Sequence, residues 1–142
     1  MPTIRGILGM PEKEVKPRRN RASAKKAGAT FERQVADYLA TELDDDRIDR
    51  RVKNGRNDRG DIAGVRTVRG ARVVIEAKNV RQMSLGTWMT EAEVEAGNDD
   101  SQYPVVVHKA HGKGQAEDQY VTMRLGTFAR LLLGGPDEAR FE

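Results

Sequence analysis

The chain has 142 residues, 33% of them charged and 37% apolar, with no cysteine and a formal net charge of +3. That length suits one domain with its own core, and the absence of thiols excludes a disulfide framework, a thiolate zinc site and a cysteine nucleophile. No apolar run approaches a membrane span and no signal-like segment opens the chain, so a cytoplasmic protein without a membrane partner is expected.

Positive charge is concentrated at the start. Residues 1–26 carry eight Lys or Arg against Glu12 and Glu14, a balance of +6, whereas the remainder carries −3. With Pro2, Pro11 and Pro17 and little apolar periodicity, residues 1–26 read as a flexible basic arm. Arg18, Arg19, Arg21, Lys25 and Lys26 are its candidate phosphate contacts. A solvated tail that only aids solubility is the plain alternative.

A helix is expected from Thr30 as N-cap, because Phe31, Val35, Tyr38, Leu39 and Leu43 form one apolar stripe. Glu32 lies beside that stripe and can reach the edge of whatever the helix covers. Asp44-Asp45-Asp46 ends the helix, Ile48 to Lys53 reads as a basic strand, and residues 54–60 are turn chemistry. Arg33, Arg51, Lys53 and Arg56 are candidate phosphate contacts here, although basic residues also protect an ordinary edge strand.

Asp61 then opens the apolar run Ile62-Ala63-Gly64-Val65, and a hairpin over 66–71 returns the chain along Arg72 to Asn79. Residues two apart in a strand share a side, so Glu76 and Lys78 lie with Val74, while Val73, Ile75 and Ala77 line the other face. Burying two charges in an apolar strand is expensive unless they pair or bind something. Asp61, Glu76 and Lys78 at one sheet edge suit a divalent metal and its water.

Ser84 is the expected cap of a second helix with Leu85, Trp88, Met89, Ala92 and Ala96 inward, ending at Gly97-Asn98. Trp88 belongs to the core. Glu91, Glu93 and Glu95 read as a solvent-facing acidic run, with Glu91 alone able to approach the site. Tyr103 to Lys109 and Gln119 to Leu125 are strands, and Thr127 to Leu133 is a last helix. His108 and His111 read as polar residues near a strand end, since no cysteine or third histidine completes a zinc site. Lys109 and Lys113 could touch DNA; Gly112-Lys113-Gly114 lacks the spacing of a nucleotide-binding loop. The expected fold is α/β, ordered αβββαββα, with a mixed central sheet of about five strands flanked by helices. Residues 27–134 form the domain, and 135–142 a tail without assigned chemistry.

With Asp61, Glu76-Ala77-Lys78 and the helical Glu32 in this order, the chain resembles the PD-(D/E)xK nuclease superfamily over roughly residues 28–125. Within it the closest likeness is to Holliday junction resolvases of archaea and phages, through Glu32-Arg33, the basic strand and loop, then the aspartate and Glu-x-Lys. The run Val105-Val106-Val107-His108-Lys109 and the following Gly112-Lys113-Gly114 look like small phage members. Gly60 departs from the pattern, standing where the namesake motif has proline. The resemblance implies a restriction-endonuclease-like core, catalytic roles for Glu32, Asp61, Glu76 and Lys78, and Mg²⁺ or Mn²⁺ held by Asp61, Glu76 and the Ala77 carbonyl. It further implies an endonuclease acting as a homodimer on branched DNA, with four-way junctions the expected substrate, in a prokaryotic or phage-infected cell. A less structure-selective or restriction-like nuclease, and a non-catalytic DNA-binding protein whose carboxylates merely pair with Lys78, are the alternatives. RNA is a weaker third target.

Overall fold

The computed structural model describes residues 20–52 and 57–136. Helix α1, Arg21–Glu42, begins at Asn20, whose side chain accepts a hydrogen bond from the Ser23 N–H at 2.8 Å. The helix therefore starts well before Thr30. Ala22, Ala24, Ala27 and Ala29 favour helix intrinsically, so it propagates through the basic segment without any apolar stripe to mark it. Arg21, Lys25 and Lys26 are thus exposed helical residues. Arg18 and Arg19, Lys53 and Arg56, and residues 137–142 lie outside the described residues. At the other end Leu43 is the C-cap and is exposed instead of extending the stripe.

Strands β1 (Asp49–Arg50), β2 (Ile62–Ala63) and β3 (Val73–Lys78) follow, then α2 (Leu85–Asn98), β4 (Tyr103–His108), a 3₁₀ turn (Ala116–Asp118), β5 (Tyr120–Thr122) and α3 (Leu125–Leu132). The order α, three strands, α, two strands, α is as expected. The strands form one mixed sheet in the order β1-β2-β3-β4-β5. β3 and β4 are parallel across the α2 crossover, and the other neighbours are antiparallel.

Two strands are shorter than their patterns suggest. Of the described residues 48–52, only Ile48 reaches the core, so little burial rewards longer pairing there. Gln119 turns its amide to the Lys113 and Gln115 carbonyls, and Leu125 already begins α3. Ser84 occupies the N-cap position of α2 without a side-chain capping bond.

The alternation in β3 is real and sorts the two cores. Phe31, Val35 and Ala36 of α1 pack with Ile62, Ile75, Val105 and Val107, joined by Val73 and Ala77. On the other face Trp88, Met89 and Ala92 of α2 pack against Val106. Val74 is fully buried. β3 is consequently covered on both faces, and any charge on it must be satisfied by what lies over it. Among the described residues no helix is long and apolar enough to cross a membrane.

Candidate active site

The hairpin delivers Asp61 to Glu76. Ile62 pairs with Ile75, so the next rung sets Asp61 beside Glu76 on the face opposite Ile75. The Asp61 N–H donates to the Ile75 carbonyl at 2.9 Å, and its Oδ2 accepts from the Ala77 N–H at 2.8 Å. In a strand the N–H and C=O of one residue face the same edge, so the Ala77 carbonyl opens toward the end of β2, where Asp61 lies. Asp61 is 2% exposed and Glu76 7%. Gly60 enters this rung at φ +97°, and a Cβ there would sit 3.0 Å from both the Ile75 carbonyl oxygen and Val74 Cγ1. Proline, locked near φ −65°, cannot adopt that conformation, which accounts for glycine at this position.

Lys78 Nζ lies 3.3 Å from Glu76 Oε1 and 2.6 Å from Glu91 Oε2. Glu91 thus approaches the site, as expected. Glu95 does not face solvent: it is 6% exposed, and its carboxyl hydrogen-bonds that of Glu76. Trp88, Ala92, Glu95 and Ala96 fall at i, i+4, i+7 and i+8, so Glu95 sits on the inward stripe of α2. That spacing is visible in the sequence; grouping Glu95 with its acidic neighbours conceals it.

Burial, reinforced by Asp61, raises the Glu76 carboxyl above its ordinary range, although Glu95 and Lys78 oppose the shift. Glu95 is pushed up to about 10 by burial, by its hydrogen bond to Glu76 and by the charges of Glu76, Asp58 and Asp61. Burial alone would lower Lys78, but Glu91 and Glu76 outweigh it and leave its affinity for a proton raised. Oε2 of Glu76 and Oε2 of Glu95 are buried with no hydrogen-bond partner among the described residues.

A carboxyl whose folded value exceeds its unfolded one stabilises fully below the unfolded value and loses that contribution as pH rises through the folded one. With chelator present, stability relative to Glu95→Gln is therefore expected to fall as pH climbs from about 4.5 toward 10. The slope should not exceed about 1.4 kcal/mol per pH unit for this one proton. Urea unfolding of both proteins at several pH values checks it; a constant difference between them would place the Glu95 proton elsewhere.

Hard carboxylate oxygens are the donors Mg²⁺ and Mn²⁺ prefer, and two buried carboxylate oxygens without partners among the described residues lie together here. The residues therefore fit such an ion in chemistry. Among the described residues no three acidic or imidazole groups are already gathered into a cation-ready set. Asp61 is turned to the Ala77 N–H and Glu76 to Glu95 and Lys78, so holding an ion requires these side chains to change partners.

The remaining candidates are spread around this centre. Glu32 is on α1, which covers the opposite face of the sheet, and its Oε2 accepts from Arg50 at 3.0 and 3.1 Å. The structure joins Glu32 to Arg50 and not to the Asp61–Glu76 pair. Arg33 bonds Asp37 and Asp49, and Arg51 reaches toward Asp99 at 3.7 Å. A 470 Å³ groove is lined by Lys25, Glu32, Arg33, Arg50 and Arg51, and one of 440 Å³ on the other flank of α1 by Lys26, Asn79 and Lys109. Lys109 bonds the Lys113 carbonyl, and Lys113 is exposed.

Trp88 is core, as expected. His108, the last residue of β4, is buried there: Thr122 Oγ1 lies 2.8 Å from its Nε2, and its ring lies 5.6 Å from those of Trp88 and Tyr120. Burial lowers its affinity for a proton. His111 is exposed and contacts the Val80 carbonyl.

Comparison with protein-family models, curated proteins and solved structures finds no match. The class is thus defined by architecture and site: an α/β protein whose five-stranded mixed sheet buries Asp61 and Glu76 on one face, with the partly exposed Lys78 beside them.

Proposed function

We propose that this protein is a Mg²⁺- or Mn²⁺-dependent endodeoxyribonuclease of the PD-(D/E)xK type, with a restriction-endonuclease-like core, acting on branched DNA as a Holliday junction resolvase. The observation that carries the reading is the convergence of Asp61, Glu76 and Lys78 on one face of the sheet, with a buried Glu76 oxygen that has no partner among the described residues. Asp61, Glu76 and the Ala77 carbonyl hold the ion. When bound, that ion supplies charge neutralisation at the phosphate and activates water. Lys78 keeps its proton and serves as a fixed cation that orients the attacking water or stabilises charge on the phosphate. Glu32, tied to Arg50, borders the Lys25–Arg51 groove on the opposite face of the sheet from Asp61 and Glu76.

Lys25, Lys26, Arg33, Arg51 and Lys109 supply phosphate contacts on the two flanks of α1, and the exposed Lys113, whose carbonyl Lys109 bonds, supplies another. A two-fold junction calls for two sites, hence a homodimer. The open edge of β5, together with exposed Val121, Leu125, Phe128, Leu132 and Leu133, is a surface on which a second copy can pack. The competing reading, a non-catalytic DNA-binding protein, draws on the Lys78 ion pairs, which satisfy the lysine within the protein.

Incubation with a synthetic four-way junction, a linear duplex and a single strand, in Mg²⁺ and in chelator, separates these readings. Paired cuts in the junction alone, only with Mg²⁺, are expected. Equal cutting of all three substrates rejects the resolvase and keeps the nuclease. Metal-independent binding without product on any substrate leaves the DNA-binding protein.

A further inference from the structure

The α2 face of the sheet carries a cluster of arginines beside the carboxylates. The Arg51 N–H donates to the Asp61 carbonyl at 2.8 Å, extending the β1–β2 register by one rung, so Arg51 stands opposite Asp61. Cross-strand partners share a face, which puts the Arg51 side chain on the side of Asp61 and Glu76. Arg72 immediately precedes β3, where the two-residue period places it with Val74 and Glu76, and Arg66 is its antiparallel partner. These three arginines line a 240 Å³ pocket together with Asp99, the C-cap of α2.

The lining thus sets one carboxylate against three guanidiniums. Arg51 Nη2 stops 3.7 Å from Asp99 Oδ2, too far for a hydrogen bond, and its buried Nε has no partner among the described residues. Arg72 donates to the Asp99 carbonyl at 3.0 Å and Arg66 to the Gly70 carbonyl at 2.8 Å, both of them neutral acceptors. Guanidinium forks match phosphate geometry, and several around one pocket concentrate positive potential. Small-molecule sites span roughly 300–1,000 Å³, so this smaller space suits a phosphate group and not a whole nucleotide.

We propose that Arg51, Arg66 and Arg72 form a subsite for one DNA backbone phosphate beside Asp61 and Glu76; the inference rests on the reading of DNA as substrate. The phosphate takes the Arg51 donors in place of the long contact to Asp99. Because Arg51 is the direct neighbour of Asp61, a strand anchored here is held in register with the carboxylates and Lys78. Arg66 and Arg72 lie outside both the Asp…Glu-x-Lys pattern and the two α1 grooves.

The test is fluorescence anisotropy of a labelled four-way junction and a labelled duplex in chelator, for wild type, Arg66→Gln, Arg72→Gln and the control Arg124→Gln. Arg124 pairs with Glu93 and does not line the pocket. In a second series one linkage at a time is replaced by an uncharged methylphosphonate. Loss of a charge-assisted phosphate contact should weaken binding by about 10- to 100-fold and reduce the salt slope by about one. One neutral linkage should weaken wild type comparably and cost the two pocket variants almost nothing more, since the same contact is already gone. Arg124→Gln should follow wild type throughout. Circular dichroism melts check folding; should Arg72→Gln not fold, Arg66→Gln decides, because Arg66 is exposed and its loss leaves both Asp99 contacts in place. Pocket variants that keep wild-type affinity and salt slope, or that respond to every linkage as wild type does, overturn the subsite and leave the nuclease standing. Coupling to one linkage with no cleavage in Mg²⁺ supports the subsite and removes the nuclease. A wild-type protein that binds neither DNA overturns both.

Discussion

Asp61→Asn and Glu76→Gln are each expected to abolish junction cleavage while junction affinity stays near wild type. An ion that polarises the phosphate and its water contributes several kcal/mol to the transition state, so losing one of its ligands should slow the single-turnover rate by roughly a thousandfold or more. On the proposed reading affinity is set elsewhere, by the basic residues lining the α1 grooves, so the number of phosphates neutralised should not change. Neither change should unfold the protein. The amide introduced by Asp61→Asn retains an oxygen to accept from the Ala77 N–H, and Glu76→Gln removes a buried carboxyl whose proton affinity is already raised by its surroundings. Metal-free stability should hold or increase in Glu76→Gln, as happens where function keeps an unfavourable group in place. Rates on a labelled junction, gel-shift affinities in chelator and thermal melts provide the three readouts. Full activity in either variant would remove the metal-site assignment.

Much of this site was legible because two simple periods set it. The two-residue period of β3 separates Val73, Ile75 and Ala77 from Val74, Glu76 and Lys78, and both cores obey it. A short hairpin then leaves little choice but to bring Asp61 back beside Glu76. Glu95 was less visible, because an acid on the apolar stripe of α2 looks like its exposed neighbours until the 3.6-residue period is followed through Trp88, Ala92 and Ala96. The start of α1 was hidden for a different reason. Alanines and an Asn cap stabilise helix without apolar periodicity, whereas clustered lysines and arginines suggest an arm. The Glu32–Arg50 pair depends on how α1 crosses β1, a tertiary fact that no local pattern contains. Nor does composition reveal that Arg33 and Arg51 face Asp49 and Asp99.

Lys78→Met is expected to lower the cleavage rate by roughly 100- to 1,000-fold, the cost of removing one fixed charge-stabilising donor, without weakening Mn²⁺ binding. The two effects separate because Lys78 is a cation beside the carboxylates, not a ligand; removing it takes away repulsion toward an incoming ion. Its proton is secure at neutral pH, since Glu91 and Glu76 outweigh the effect of burial, so it acts as a charge and not as a base. Glu91, 2.6 Å away, holds the ammonium in place. Glu91→Gln should therefore slow cleavage in the wild-type background and add almost nothing in Lys78→Met, because residues acting through one contact are not additive. Single-turnover rates for the two single variants and the double variant close that cycle. Independent, multiplying losses would mean that Glu91 works apart from the lysine, and would undo the assignment of Lys78 as a cation positioned from α2.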